Sequence, residues 1–168
     1  MYRVFLGLGS NLGNRLEYLS KAVNELSHIA KIIHLSSIYE TAPVGMNSQR
    51  MFYNMVIEIE SSISPRQLFE KLKVIEKQVG RTSMVHLQDR EIDIDILLYD
   101  GMQYTDETIT VPHPELCNRR FVLAPFAEIA PGVVHPLSGK TVITLLEQSK
   151  DRSHVDKTEL GIERIQSN

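Results

Sequence analysis

Two aspartates, two residues apart in an apolar stretch, are the side chains of this sequence best placed for chemistry. Asp93 and Asp95 alternate with the apolar residues Ile92, Ile94, Ile96 and Leu98. Successive side chains of a strand point to opposite faces, so the pattern predicts four apolar residues on one face and both carboxylates on the other. Their backbone positions would lie about 6–7 Å apart, which lets the carboxylates converge on hard cations such as Mg²⁺. Two solvated aspartates are the alternative, although Asp is disfavoured in strands.

The segments around this strand predict an α+β fold. Strands are expected over residues 2–8, 31–39 and 51–60, and an apolar spacing typical of a helix runs from Leu16 to Leu26. A second helix begins after a capping box at Ser64 and ends at Gly80. The order β–α–β–β–α–β is that of the ferredoxin-like split βαβ sandwich, with an antiparallel sheet and both helices on one face. The active site is therefore expected on the other face. A proline-rich stretch and a short helix over residues 142–148 follow.

Polar and aromatic side chains are predicted to share that second face. Phe52 and Asn54 have the parity of the strand over residues 51–60 that faces away from the helices. Three loops could overhang them, over residues 7–13, 40–49 and 80–89. The first is rich in glycine but lacks the lysine of a phosphate-binding loop, so a tight strand-to-helix turn is the preferred interpretation. Arg81 and Arg90 flank the third, and guanidinium groups suit polyphosphate.

Composition bounds the class of protein. The 168 residues are 42% hydrophobic with a formal charge of −3, as in a soluble globular domain. We expect this domain over residues 1–149 and a polar tail over 150–168. A negative net charge does not indicate nucleic-acid binding, and no apolar run predicts a membrane span or a secretory signal. Cys117 is the single cysteine. A cytoplasmic protein without disulfides is therefore expected.

The ordered set of motifs resembles the 6-hydroxymethyl-7,8-dihydropterin pyrophosphokinase family, an enzyme family of folate biosynthesis. The resemblance covers residues 2–146. It rests on segments 7–13, 39–45, 52–54, 90–96 and 111–114, together with Glu76, Gly80, Arg81, Arg119 and Phe121.

The resemblance implies a reaction, a cofactor and roles for residues. Enzymes of this family transfer the β,γ-diphosphate of ATP to the hydroxymethyl oxygen of the pterin and release AMP, using two Mg²⁺ ions. Asp93 and Asp95 match the metal ligands, and Arg90 completes the catalytic set. The positions matching pterin contacts are Thr41, Pro43, Val44, Phe52, Asn54 and Phe121. The positions matching contacts to ATP, the co-substrate, are Phe69, Glu76, Arg81, Arg90, Ile96, Thr110, His113 and Arg119. A monomer acting on small molecules is the family-based expectation.

The third loop departs from the family pattern. In the family this loop acts as a lid, and in the well-known bacterial form it carries a tryptophan and several basic residues. This chain has no tryptophan, and its residues 82–88 offer only His86 as a cation. The departure bears on lid closure and ATP affinity.

Two other functions fit the residues taken alone. One is a two-metal phosphohydrolase or nuclease, and the other is a ferredoxin-like binding module that holds a small molecule without turning it over.

Overall fold

The main sheet is antiparallel and is centred on two long strands. The computed structural model describes residues 1–83, 85 and 87–162. Its strands are β1 (Tyr2–Ser10), β2 (Lys31–Leu35), β3 (Tyr39–Thr41), β4 (Phe52–Ser61), β5 (Asp93–Tyr99), β6 (Tyr104–Thr105), β7 (Thr110–Val111) and β8 (Val155–Lys157). The helices are α1 (Arg15–Ser27), α2 (Pro65–Val79), α3 (Arg120–Ile129) and α4 (Val142–Gln148), with a 3₁₀ turn over Leu116–Asn118. The spatial order is β5-β1-β4-β3-β8, with β2 also on β4, while β6 and β7 form a separate hairpin.

Helices α1 and α2 cover one face of the sheet, as the sequence predicts. Each begins at a side-chain cap, since Asn14 accepts the Glu17 N–H and Ser64 accepts the Gln67 N–H. Their apolar stripes pack against the alternate residues of β1, β4 and β5. This core contains Val4, Leu6, Leu8, Leu19, Leu26, Met55, Ile57, Ile59, Leu68, Leu72, Ile92, Ile94 and Ile96. The ferredoxin-like α+β fold is confirmed.

The opposite face is partly covered by α3 and α4, which form a second core with Phe5, Val56 and Leu97 of the sheet. The sequence pattern does not predict helix α3, because it indicates only a proline-rich stretch in this region. Pro125 lies inside the helix and is buried. A proline there removes one backbone hydrogen bond and masks the helical pattern, but the apolar residues Leu123 and Phe126 still bury against the sheet. The uncovered part of this face lies beside α3.

A β-bulge in β5 places Leu98 on the sheet face opposite to the predicted one. Strands β1 and β5 pair Phe5 with Leu98 and Leu6 with Ile96, so Leu97 is an extra residue on β5. The extra residue inverts the alternation beyond it. Leu98 therefore packs in the second core, on the face opposite Ile96, and the expectation that it shares the isoleucine face is wrong.

Two strand boundaries in the structure differ from the predicted ones, each for a physical reason. The strand expected over residues 31–39 is interrupted between β2 and β3, because the Ser36 hydroxyl accepts the Val56 N–H that a backbone carbonyl would otherwise accept. The first strand does not end at the glycines. Gly7 and Gly9 both lie within β1, paired on either side by β4 and β5, so the strand-to-helix turn begins only after Ser10.

The region beyond α4 adds a strand to the sheet. Strand β8 pairs antiparallel with β3, placing Val155 opposite Thr41 and Lys157 opposite Tyr39. Residues 163–168 lie outside the described part of the chain. No helix in the described ranges combines the length and apolar character needed to cross a bilayer.

The capping of α2 gives a first testable prediction. Ser64→Ala removes the acceptor for the Gln67 N–H, and we expect a loss of about 1 kcal/mol in unfolding free energy. For a chain of this size the melting temperature should fall by about 2–4 °C in a circular dichroism melt. Ser27→Ala, at the exposed end of α1, serves as the control and should change stability by less than about 0.5 kcal/mol. Equal melting of both variants would show that the cap contributes nothing.

Candidate active site

The two aspartates stand beside a strand that lacks side chains. Asp95 is paired with Gly7 and Asp93 with Gly9 on β1, so the floor next to both carboxylates is bare backbone. Gly9 is required by a close approach, because a Cβ there would lie 2.6 Å from the Asn54 Oδ1. The Asn54 amide in turn donates to the Thr41 Oγ1 at 2.6 Å, which fixes its orientation. Glycine at positions i and i+2 of a strand thus opens space on one face.

A central pocket lies above this floor and unites most of the predicted site residues. Among them, Thr41, Val44, Phe52, Asn54, Arg90, Asp93, Asp95, His113, Arg119 and Phe121 all line it. The walls come from β3 and its following loop, from β4, from β5 and from the start of α3. Phe52 is buried, and the Arg90 guanidinium lies 5.2 Å from its ring centroid. The pocket therefore combines apolar ring surfaces with charged groups at one edge.

A second, more open pocket, here called the side pocket, adjoins the central one. Phe69, Ile96, Thr110, His113 and Asp95 are among the residues that line it. Asp95 and His113 line both pockets, so the carboxylate pair stands at their junction. Ligands in the two pockets would meet there.

Asp93 is held by two arginines. Its Oδ1 lies 2.7 Å from the Arg81 guanidinium and its Oδ2 lies 3.0 Å from that of Arg90. Burial alone would raise the pKa of Asp93, but the positive charges of Arg90, Arg81 and Lys73 outweigh it and hold that pKa below its usual value. Asp93 is therefore an anion in the ligand-free protein.

Asp95 has the opposite electrostatic environment. Burial, followed by the negative charge of Asp93, raises the pKa of Asp95 to about 7, against the attraction of Lys73 and Arg90. Its Oδ2 lies 3.9 Å from the His113 Nε2. The His113 Nδ1 accepts the Glu115 N–H, which leaves the ring proton on Nε2, directed toward the carboxylates. Asp95 is thus the carboxylate that gains most from an added cation.

Glu76 and Arg81 lie behind the pocket wall and line neither pocket. The Glu76 carboxylate is fully buried, accepting the Arg81 guanidinium on Oε2 at 3.1 Å and Lys73 Nζ on Oε1 at 2.9 Å. Its Oε1 also accepts the Ile94 N–H of β5 at 2.8 Å. One carboxylate from α2 therefore satisfies a backbone donor of an edge strand and anchors the arginine that reaches Asp93. Lys73 was not identified from the sequence, because only the packing of α2 against β5 brings it here.

The loops at the rim are joined by Asn11, a residue that sequence analysis did not single out. Its Oδ1 accepts the Arg90 N–H at 2.8 Å and its Nδ2 donates to Asp89 Oδ1 at 2.8 Å. Asp89 pairs with Arg50 at 3.2 Å. At the other end of the third loop, the Glu91 carboxylate accepts the Thr82 hydroxyl at 2.8 Å. His86, the cation predicted in this loop, lies outside the described residues.

Half of the described residues that line the central pocket were predicted from the sequence, and the gaps have clear causes. Pro43 lies in the loop beside Val44 but does not line the central pocket. Lining residues that were not nominated are Gly7, Leu8, Gly9, Ala42, Met46, Met55, Val56, Leu87, Leu97 and Val122. Two of these carried a signal, since Gly7 and Gly9 interrupt an otherwise apolar strand. The others are apolar or small and have no chemical signature.

The donor set at the junction fits Mg²⁺. This ion is commonly held by one or two carboxylates together with substrate phosphates, rather than by a cage of protein ligands. Asp93 and Asp95 supply such a pair, and in the described ranges no group of three or more His, Cys, Asp or Glu side chains forms a further metal cluster. The Arg90 Nε is buried and has no hydrogen-bond partner within the described part of the chain. An anionic ligand would satisfy this donor.

These features define an α+β domain whose open sheet face is built for small anionic and aromatic ligands at a carboxylate pair. The model of the 7,8-dihydro-6-hydroxymethylpterin-pyrophosphokinase (HPPK) family matches residues 5–131. The chain belongs to this family. It is therefore an enzyme, a pyrophosphokinase of folate biosynthesis that acts on small molecules.

Relatives support the assignment over most of the chain. The 2-amino-4-hydroxy-6-hydroxymethyldihydropteridine pyrophosphokinase of Aquifex aeolicus is 41% identical over 140 residues, which is 83% of this chain and 88% of that protein. The protein of the same name from Bacillus subtilis is 45% identical over 74% of this chain and 76% of its own length. The folic acid synthesis protein fol1 of Pneumocystis carinii is 36% identical over 88% of this chain, which corresponds to only 20% of that protein.

A solved structure shows the same fold in a longer chain. Wild-type HPPK-DHPS of Plasmodium falciparum matches 88% of this chain with a TM-score of 0.72 at 15% sequence identity. The match spans 44% of that Plasmodium chain.

The buried Glu76 carboxylate gives the second prediction. Glu76→Ala leaves Arg81, Lys73 and the Ile94 N–H without their shared acceptor, and should lower the unfolding free energy by about 3 kcal/mol. Urea denaturation of the ligand-free protein measures this loss. Glu70→Ala on the same helix is the control, because its side chain is 58% exposed and its pair with Arg66 should contribute less than about 1 kcal/mol. Similar losses in both variants would contradict the role assigned to Glu76.

The Asp95 environment gives the third prediction. A folded-state pKa above the unfolded value means that the native state binds the extra proton, so stability falls as the pH rises from about 4 to about 7. Asp95→Asn abolishes this loss. The variant should exceed the wild type by about 1 kcal/mol at about pH 8, a small figure because the 38% exposed side chain is screened by water. The advantage should shrink at about pH 5.

Urea denaturation at both pH values, without divalent cations, tests this expectation. Asp156→Asn, at a side chain that is 71% exposed, serves as the charge-matched control and should follow the wild type. A stability difference for Asp95→Asn that does not depend on pH would refute the electrostatic account.

Proposed function

We propose that this enzyme transfers the β,γ-diphosphate of ATP to the hydroxymethyl oxygen of 6-hydroxymethyl-7,8-dihydropterin, in a reaction that depends on Mg²⁺. The observation that carries the proposal is the position of the carboxylate pair. Asp95 and His113 line both the central pocket and the side pocket, so groups bound in the two pockets meet at the carboxylates. Transfer between two substrates requires such a junction, whereas hydrolysis of a single substrate does not.

The central pocket suits the pterin. Phe52 and Phe121 offer apolar ring surfaces to a flat heterocycle. Asn54, whose amide is fixed by Thr41, carries the hydrogen-bonding group that reads the polar edge of the ring. The backbone of the loop that contains Pro43 and Val44 would supply further polar contacts. The hydroxymethyl group would then point toward Asp95.

The side pocket suits the nucleotide. Phe69, Ile96 and Thr110 provide its apolar and hydroxyl surfaces. His113, with its proton on Nε2, and Arg119, at the rim of the central pocket, would bind phosphate oxygens. The buried Arg90 Nε lacks a partner in the described structure and would donate to the same group. Arg81 and Glu76 act indirectly, by holding Asp93 in place.

Catalysis by these residues consists of positioning and charge stabilisation. The hydroxymethyl oxygen forms a bond to the β-phosphorus while the bond from that phosphorus to the oxygen bridging the α-phosphate breaks. AMP leaves with the electron pair, and the hydroxyl proton is released to solvent. Asp93 and Asp95 would hold two Mg²⁺ ions, which when bound supply charge neutralisation on the phosphates. No side chain is assigned as a general base. Since one chain lines both pockets, we further propose that a monomer suffices.

Product analysis tests the reaction. Purified protein with ATP and Mg²⁺ should release AMP only when 6-hydroxymethyl-7,8-dihydropterin is present, and EDTA should abolish the release. Release of phosphate or AMP without the pterin would favour the two-metal hydrolase. Pterin binding without any AMP would favour a binding module.

The metal assignment gives the fourth prediction. Asp93→Ala and Asp95→Ala should each lower the rate of pterin-dependent AMP release by at least about a hundredfold, since each removes a carboxylate from the cation site. Circular dichroism should show both variants folded. Asp156→Ala, at an exposed side chain that lines neither pocket, is the matched control and should retain wild-type turnover. Near-normal turnover in both site variants would reject the assignment.

A further inference from the structure

The segment after α4 contacts two walls of the central pocket. This C-terminal segment, residues 151–158, contains β8, which runs beside β3. Thr41, the last residue of β3, is paired with Val155, and the next N–H, that of Ala42, donates to the His154 carbonyl at 3.0 Å. The pairing therefore extends to the residue where the loop over 42–50 begins. That loop contributes Val44 to the pocket.

The same segment also reaches the start of α3. The Asp151 Oδ2 accepts the Arg120 N–H at 2.9 Å, and its Oδ1 accepts the Ser153 N–H at 2.8 Å. Arg120 is the first residue of the helix, and the residue at the cap position makes no capping hydrogen bond with its own side chain. Asp151 supplies that cap from a distant part of the chain, with a negative charge where the helix dipole favours one. The residues on either side of Arg120 are Arg119 and Phe121, which line the pocket.

We propose that Asp151 is a positioning residue for the pterin-binding wall, an inference that rests on the proposed function. Through the Arg120 N–H it fixes the first turn of α3 and hence the Phe121 ring. Through the Ser153 N–H it fixes the turn that brings the His154 carbonyl to Ala42. One carboxylate thus sets the distance between the helix that carries Phe121 and the loop that carries Val44.

Other contacts hold β8 independently of Asp151. Thr158 donates from both its N–H and its hydroxyl to the Ile38 carbonyl, at 2.9 and 2.8 Å. Lys157 pairs with Glu128 of α3 at 3.6 Å. Loss of the Asp151 carboxylate should therefore leave the strand in place and loosen only the first turn of α3 and the turn before β8.

The fifth test is the binding of 6-hydroxymethylpterin to the full-length protein, measured by the fluorescence of the pterin, with Mg²⁺ and the α,β-methylene analogue of ATP present so that both pockets can be filled without transfer. We expect Asp151→Ala to weaken this binding about 3–10-fold, because pterin binding must then also order a first turn of α3 that the cap no longer stabilises. Asp151→Asn keeps one acceptor oxygen and should weaken it less. Two controls separate positioning from stability. Ser64→Ala removes the cap of α2, and Asp156→Ala removes a carboxylate from the same segment; both should bind pterin as the wild type does.

Each outcome of this binding experiment supports or refutes the positioning role of Asp151. Pterin affinity of Asp151→Ala within about twofold of the wild type overturns the inference while leaving the proposed function intact. Equal weakening by Ser64→Ala overturns it as well, because stability alone would then explain the effect. A wild-type protein that binds no pterin rejects the proposed function and the inference together. If Asp151→Ala does not fold, the affinity of Asp151→Asn decides, and an unchanged value refutes the proposal.

Discussion

Two carboxylates on one face of an edge strand repel each other, and much of the structure around β5 serves to offset that repulsion. Asp93 is neutralised by Arg81 and Arg90, whereas burial and the charge of Asp93 raise the pKa of Asp95. Bringing arginine to a buried position requires a further acceptor, which Glu76 supplies from α2. Glu76 also accepts an N–H from the exposed edge of β5, so the requirement for charge balance closes a sheet edge as well. Packing of α2 and chemistry at β5 are therefore coupled through one side chain.

The charges of this cluster balance before any ligand is bound. When Asp95 is ionised, Asp93, Asp95 and Glu76 contribute three negative charges, and the cations Lys73, Arg81 and Arg90 contribute three positive ones. A polyphosphate that enters such a neutral cluster brings several negative charges of its own. Arg119 at the pocket offsets only part of them, and added divalent cations would offset the rest. The charge count therefore supports the Mg²⁺ dependence that we propose, in addition to the carboxylate pair.

What the sequence could predict depended on how local the signal was. The alternation of Ile92, Ile94 and Ile96 is local, and it placed Asp93 and Asp95 on the correct face. The bulge at Leu97 has no such signal, because it arises from the register between β1 and β5. The predicted face of Leu98 was wrong for that reason. A glycine in a strand pattern indicates either a turn or a position where a neighbouring side chain approaches the backbone closely. Only the residue on the adjacent strand distinguishes the two, and that residue is not known from the local sequence. Helix α3 was hidden by a proline, and the cluster around Glu76 arises from contacts between segments far apart in sequence.

The site is divided between a rigid floor and loops that need separate anchors. The carboxylates and the bare backbone beside them belong to paired strands, whose geometry is set by the two cores of the sheet. The rim consists of loops, and loops contribute few apolar contacts to hold them. Asn11 compensates at one side, because its amide contacts both the Arg90 backbone and Asp89, which in turn pairs with Arg50. Displacement of the third loop therefore strains the loop after β3 through this amide. These contacts therefore join two walls of the pocket at the residues that lie next to its charged edge.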